Sequence, residues 1–206
     1  MRKYPLIDRI KDYDAVVLAD GEFPSAQIPQ RLLNESPFVC ACDGAIGNFP
    51  EADVVVGDGD SVPEDLRHLL IKIDEQEDND LTKSTRYCLS KGMNRIVYLG
   101  ATGKREDHTL GNISLIVRYF CEMGVEPILV TDCGWFVAAK GDSEFESFPG
   151  QQVSIFNAGC KCLSSEGLKW KSYPYSQLWQ GTLNEALSTT FRLKADNCYL
   201  VYRTFS

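Results

Sequence analysis

The chain has 206 residues, a formal net charge of −8, 44% hydrophobic residues and 24% charged residues. That charge excludes a protein that tracks nucleic acid along a basic stripe, and apolar runs such as Ala15–Ala19 and Ile128–Val130 are too short to cross a bilayer. The length suits one large domain or two small ones, and Met1-Arg2-Lys3-Tyr4-Pro5 leads into mixed polar sequence without a signal peptide's apolar stretch, so a cytoplasmic protein is expected.

Asp14–Asp20 reads as a buried strand ending in the Gly21 turn. Phe38–Cys42 is a second strand, running into Asp43-Gly44-Ala45, and Asp53–Val56 is a third. Leu81–Lys91 has helical spacing, with Leu81, Ser84/Thr85 and Cys88/Leu89 on one side and Gly92 as its stop. Arg95–Leu99 is a fourth strand. Thr109–Met123 is a helix whose apolar stripe is Leu110, Ile113, Ile116/Val117 and Phe120, and Pro127–Thr131 is a fifth strand. This alternation implies a parallel sheet with right-handed crossovers.

After about Asp132 the pattern changes to short strands: Trp135–Ala139, Gln152–Phe156, Gly167–Trp170, Leu187–Leu193 and Cys198–Thr204, with a helix hint only around Tyr175–Gln180. The expected fold is therefore α/β: a parallel-sheet α/β domain over 1–132 and an antiparallel β-sandwich over 133–206. The eight cysteines include no Cys-x-x-Cys pair, and only two histidines are available to complete a zinc site. Cys40/Cys42 and Cys160/Cys162 are two apart, as buried thiols on one face of a strand would be.

Three acidic clusters carry the chemistry. Val54-Val55-Val56 runs into Gly57-Asp58-Gly59-Asp60, a second cluster is Gln76-Glu77-Asp78-Asn79-Asp80-Leu81-Thr82-Lys83, and Ile96–Leu99 runs into Gly100–His108. Two follow apolar strands, and ligands of open α/β sheets sit beyond the carboxyl ends of strands. Like charges about 4 Å apart at an effective dielectric near 20 cost roughly 4 kcal/mol per pair, so the clusters either lie apart or share a cation, typically magnesium carrying a polyphosphate. Asp58 and Asp60 suit magnesium or an ordinary acidic turn; a calcium loop fails because Leu69 stands where its glutamate belongs. Glu77, Asp78 and Asp80 are also what a helix start favours, whereas Lys83, on the same helical face as Asp80, could reach a phosphate. Gly100-Ala101-Thr102-Gly103 can bring N–H groups to an anion but lacks the ending of a Walker A loop. Arg105 could clamp phosphate oxygens bidentately. Asp107 could complete a metal shell or orient Arg105, and His108 could cap the helix.

Taken together, these motifs resemble the thiamin pyrophosphokinase family in order and over most of the chain. Cys42-Asp43-Gly44-Ala45 with Asn48 resembles its "ADGxxN" turn, Gly57–Ser61 its "GDxDS", Gln76–Lys83 its "QDxTDxxK", Gly100–Asn112 its "GxxGGRxDHxLxNI", and Gly167-Leu168-Lys169-Trp170 a motif of its C-terminal domain. The resemblance implies ATP:thiamin pyrophosphotransfer with magnesium, giving thiamin diphosphate and AMP, by a homodimer with active sites between subunits. It implies Asp58, Asp60 and Asp80 for magnesium, and Arg105 and Asp107 for the ATP phosphates. Asp43, Gly44, Glu77, Lys83, Thr102, Gly103, Lys104 and His108 would border the substrates. Gln76, Ser188 and Thr190 would serve thiamin; of the aromatics in the last third, Trp170 and Phe191 could supply a platform for a flat cationic ring, and Trp170 equally suits the core of the sandwich. Asp80 or Glu77 would be placed to accept the hydroxyl proton. The chain departs from the pattern at Glu77, at Asn79, at Lys104 (for the second glycine of "GGR"), and at Phe191, where "STSN" has asparagine. Another magnesium-dependent phosphotransferase or phosphohydrolase, or a protein that binds nucleotide or thiamin without turnover, would carry similar clusters.

Overall fold

The computed structural model describes residues 1–206, which form two compact units, Asp12–Asp132 and Met1–Lys11 with Cys133–Ser206. The expected first domain of 1–132 is thus corrected at its N-terminus. There β1 (Arg2–Tyr4) pairs in parallel with the later strand Ser143–Glu146, and Tyr4 stacks on Phe145 with centroids 4.8 Å apart.

The unit Asp12–Asp132 holds β2 (Ala15–Leu18), β3 (Val39–Cys42), β4 (Val54–Gly57), β5 (Leu70–Lys72), β6 (Arg95–Leu99) and β7 (Glu126–Val130). All are parallel and lie in the order β7-β6-β2-β3-β4-β5. β2, β3 and β4 are buried at every position, as strands of a sheet covered on both faces must be. The helices are α1 (Gln27–Asn34), α2 (Asp80–Ser90) and α3 (Glu106–Glu122). The chain first builds outward from β2 through β3, β4 and β5, then returns to lay β6 and β7 on the other side. The crevice beyond β2 and β6 is therefore the point where strand order reverses, which is where open α/β sheets bind ligands.

Two helices differ from the sequence expectation. α3 begins at Glu106, because Glu106 and Asp107 form an acidic first turn that the helix dipole favours. Its buried side chains are Ile116 and Tyr119, while Leu110 is 62% exposed. Tyr119 is accommodated because its hydroxyl meets Thr82 Oγ1 at 2.8 Å and its ring stacks on Tyr98. α1 is absent from the expected elements; it is short, and the segment that leads into it is held from far away. The Asp132 carboxylate accepts the N–H groups of Ser25 and Ala26 at 3.0 Å and also the Ser25 hydroxyl. Burial pushes that carboxyl up, but these donors outweigh it and leave its pKa below the ordinary 3.8.

The other unit contains β8 (Gly134–Lys140), β9 (Ser143–Glu146), β10 (Gln152–Ala158), β11 (Leu163–Glu166), β12 (Asn184–Glu185), β13 (Thr190–Ala195) and β14 (Cys198–Thr204). One set of strands runs β12-β10-β14-β8 and is antiparallel; the other runs β1-β9-β13-β11. Phe145 is packed between Tyr4 and Phe191, 4.8 and 5.0 Å from their centroids. Arg203 is fully buried on β14, with its guanidinium over Trp135 and Phe145 and Nη1 donating to the carbonyls of Tyr4 and Glu146. Burial pushes its pKa down to about 9, so it stays charged at neutral pH. The expected strand at Gly167–Trp170 reduces to one bridge, Leu168 to Ala186. The thiol reading holds for Cys40, Cys42, Cys88 and Cys160, which are buried and free. Cys162 is exposed, because Asp196 accepts the N–H groups of Lys161 and Cys162 in a turn and not a strand. No helix is long and apolar enough to cross a membrane.

Replacing Asp132 with alanine removes the acceptor of the Ser25 and Ala26 N–H groups just ahead of α1 and should cost about 1 kcal/mol, the usual net worth of a hydrogen bond. Since the folded-state pKa is depressed, the wild-type advantage is full above the ordinary 3.8 and fades as pH falls through the lower folded value. Chemical denaturation of both proteins across pH 2–7 measures this, and a pH-independent difference contradicts it.

Candidate active site

The site is built where the loops following β2 and β6 are tied together. Gly21 N–H donates to Gly100 O at 2.6 Å, and Glu22 N–H to Thr102 O at 2.8 Å. A Cβ at Gly21 would lie 2.2 Å from Gly100 O, so only glycine lets the two backbones approach this closely. Above this clasp opens a cavity of about 400 Å³, bordered by Asp20, Asp43, Gly44, Asn79, Asp80, Thr102, Lys104, Arg105, His108 and Asn112 among others.

One wall is acidic. Asp43 is buried at the end of β3, and its carboxylate accepts the N–H groups of Gly59 and Ser61, both at 2.9 Å. It thereby shapes the turn carrying Asp58 and Asp60, which reaches the cavity lining through Ser61 while the two aspartates themselves lie outside it. Gly57 is required there, because a Cβ would sit 2.8 Å from that of Asp43. Asp58 Oδ1 in turn accepts Asp60 N–H at 3.1 Å. Asp80 opens α2, whose start is capped by the Asn79 side chain accepting Thr82 N–H at 3.0 Å. Burial, the largest cause, raises the Asp80 carboxyl above 3.8; Lys83 opposes this, and the charges of Asp43 and Asp58 add to it. The Lys72 ammonium is raised chiefly by Asp74 and further by Asp60 and Asp58, which puts these two carboxylates in one electrostatic neighbourhood.

Asp58, Asp60 and Asp80 fit magnesium by donor chemistry, as carboxylate oxygens. They do not close on one point as a three-ligand group. Magnesium ordinarily takes one or two protein carboxylates and completes its shell with phosphate and water.

The opposite wall is cationic. Lys104 Nζ meets Asp20 Oδ1 at 2.9 Å. Arg105 forms a two-point pair with Asp107, at 3.1 Å from Nε and 2.6 Å from Nη2. Of the two roles open to Asp107, orienting Arg105 is the one its contacts serve, and the Arg105 pair lowers its pKa. His108 lies within the first turn of α3, so it is not the cap; the capping position is Arg105. Gly103 adopts φ 96° and carries the chain from Thr102 to Lys104.

Other expected residues lie elsewhere. Lys83 is corrected: its side chain is only 4% exposed and its ammonium is held by Asp80 at 3.2 Å, so it steadies Asp80 from below and does not border the cavity. Gln76 and Glu77 are exposed and also outside the cavity lining. Asp78 is engaged by Arg86 and Arg118. In the other unit, Trp170 is 54% exposed, contrary to a core role, and carries the Lys169 ammonium 4.9 Å from its ring centroid. It borders a second cavity of about 290 Å³ with Tyr173, Tyr175 and Asn184. Ser188 and Thr190 do not border that cavity, and the Ser188 hydroxyl is used locally on Thr190 O. Phe191 is core and offers no exposed ring face. Sequence reasoning missed Asp20 and Asn112 as site residues; Asp20, directly after a buried strand, obeys the same strand-end rule that found Asp58.

Residues 29–126 match the family described as thiamin pyrophosphokinase, catalytic domain, and residues 134–202 the family described as thiamin pyrophosphokinase, substrate-binding domain. Thiamin pyrophosphokinase 1 of Caenorhabditis elegans is 27% identical over 135 residues, 57% of this chain and 55% of that protein. Thiamine pyrophosphokinase 2 of Arabidopsis thaliana is 32% identical over 107 residues, 45% of this chain and 38% of that protein. The matches thus span about half, or less, of the curated relatives. Among solved structures, thiamin pyrophosphokinase from Candida albicans has a TM-score of 0.79 at 16% identity, covering 100% of this chain and 93% of that one. The Bacillus subtilis structure gives 0.73 at 17%, covering 93% and 99%. At these identities the structural likeness speaks to fold alone.

Asp58→Asn keeps the Oδ1 acceptor for Asp60 N–H and removes one charge acting on Asp80. In the presence of a chelator, Tm should therefore stay level or rise. The sign follows from linkage: a lowered folded pKa for Asp80 adds stability above that pKa, and the gain disappears as pH falls through it. Melting curves from pH 3 to 8 test it; a variant that is less stable at neutral pH contradicts it.

Proposed function

The chain belongs to the thiamin pyrophosphokinase family, and on that premise we propose that it is an enzyme transferring a pyrophosphoryl group from ATP to thiamin. The observation that carries the reading is the cavity at the switch point, acidic on one wall and cationic on the other. A polyphosphate with its cation is complementary to that arrangement. The hydroxyl oxygen of thiamin attacks the β-phosphorus, the bond between that phosphorus and the α,β-bridging oxygen breaks, AMP leaves, and the hydroxyl proton is lost. Such transfer asks an enzyme chiefly for positioning and charge neutralisation. Asp58, Asp60 and Asp80 would hold magnesium, which when bound neutralises and templates the polyphosphate.

Arg105, already oriented by Asp107, offers a planar fork for phosphate oxygens. Lys104 adds a second cation. The loop N–H groups beside Thr102 and Gly103, together with the start of α3, favour the remaining anionic oxygens. For the ring of thiamin, the exposed face of Trp170 and its cavity suit a flat cation, which gains about 0.5–2 kcal/mol over an aromatic ring. A homodimer is part of the proposal, supported by the exposed side chains of Leu178, Trp179, Leu183 and Leu187, which are 65%, 69%, 70% and 56% accessible. Light scattering of the purified chain should give twice the mass of 23.1 kDa.

Incubation with ATP, thiamin and magnesium should yield AMP and thiamin diphosphate in equal amounts. Release of ADP in place of AMP would mean phosphoryl transfer, and binding without product would mean a sensor. Asp58→Asn and Asp80→Asn should each leave less than about a tenth of kcat, a barrier increase above roughly 1.4 kcal/mol. Arg105→Lys should lose about tenfold or more in kcat/KM for ATP, since an ammonium keeps the charge and forfeits the fork. Wild-type kinetics in that variant would make Arg105 an ordinary surface charge.

A further inference from the structure

Lys104 follows the Gly103 turn, and it does not stand idle in the cavity. Its ammonium is 2.9 Å from Oδ1 of Asp20, and both side chains are about half exposed, at 55% and 50%. The other oxygen of Asp20, Oδ2, lies over Gly44: a Cβ on that glycine would come within 3.1 Å of it. Asp20 thus lies between the Gly44 turn on the acidic wall and Lys104 on the cationic one. Both residues border the same cavity. The loops that bear them are fastened by the hydrogen bonds from Gly21 N–H to Gly100 O and from Glu22 N–H to Thr102 O. Gly103 N–H is further held by Thr109 Oγ1 at 3.3 Å, and a Cβ at Gly103 would strike the Glu22 side chain.

We propose that Asp20 is a positioning residue that holds Lys104 in readiness and yields it to the incoming polyphosphate, so that nucleotide binding exchanges one ion pair for another. The inference rests on the functional reading above and specifies how that site admits its nucleotide. The physical grounds are three. An exposed lysine–carboxylate pair in water is weak and inexpensive to break. A polyphosphate carries several charges against the single charge of Asp20, so it outcompetes the carboxylate for the ammonium. And because the backbones are clasped, the exchange needs only rotation of the long lysine side chain, whose flexible stem and point charge suit such a transfer. Without Asp20 the cation would be free in the apo cavity; with it, the cavity opposes anions until one of sufficient charge arrives.

The test is calorimetric titration of the full chain, with magnesium, using the α,β-methylene analogue of ATP, which lacks the bond that breaks. Asp20→Asn should bind this analogue about two- to fivefold more tightly, the factor corresponding to release of an exposed ion pair. Lys104→Gln should bind it more weakly. The double variant should match Lys104→Gln, because Asp20 acts only through Lys104. The preference for the triphosphate analogue over AMP should widen in Asp20→Asn, because the ligand that engages the ammonium most strongly gains most from its release, a change that a merely structural role would not produce. In steady state, Asp20→Asn should lower KM for ATP without raising kcat. Weaker binding by Asp20→Asn at unchanged Tm, or the same tightening in the Lys104→Gln background, overturns the exchange. A wild-type chain that binds no analogue overturns the functional reading itself, and that outcome is separable because it precedes any comparison of variants.

Discussion

The structure around the candidate site depends on the close approach of two backbones at the point where strand order reverses. Gly21 N–H reaches Gly100 O at 2.6 Å, and no side chain fits at Gly21 without striking that oxygen. From this contact the cavity's two walls diverge. The β3 and β4 ends, through Asp43 and the turn it shapes, carry carboxylates; the β6 loop carries Lys104 and Arg105. A side chain at Gly21 would push the walls apart and leave both sets of charges in solvent, where a pair about 4 Å apart is worth only about 1 kcal/mol.

Charge is managed differently at different depths. In the open cavity, cations and carboxylates pair loosely and remain available to a ligand. Beneath it, Lys83 is buried against Asp80 and is unavailable to anything else. In the other unit Arg203 is buried altogether, its charge met by two carbonyls and two aromatic faces. Its donation to Tyr4 O and Glu146 O joins β14 to β1 and β9, so one cation links the two sets of strands.

Much of this was readable from local pattern. Continuous apolar runs ending in Asp-Gly turns marked β2, β3 and β4, since a strand covered on both faces has no polar alternation to blur it. Asp80 and Arg105 stood out by their place in local charge clusters, and both border the cavity; Lys104, which borders it too, stood out only against the family pattern. Lys83 was misread because helical spacing puts it on the face of Asp80 but says nothing of depth. Trp170 and Phe191 were both plausible platforms in sequence; only packing separates an exposed ring from one stacked on Phe145 at 5.0 Å. Leu110 fitted an apolar stripe and is exposed, while Tyr119 is buried because Thr82 satisfies its hydroxyl, a contact 37 residues apart.

The sequence by itself determined the parallel α/β class, the change to short strands near residue 132, and the clustering of acidic and basic residues in the loops that follow the strands, because periodicity, turn residues and charge are local properties. Tertiary structure decided the rest. It decided that residues 1–11 join the second unit, through the Tyr4–Phe145 stack, that Asp132 holds the segment just ahead of α1, and that Asp20 faces Lys104. Each of these is a pairing across a long stretch of chain. Its free energy comes from burial and geometry that exist only after folding, so no window of the sequence contains it.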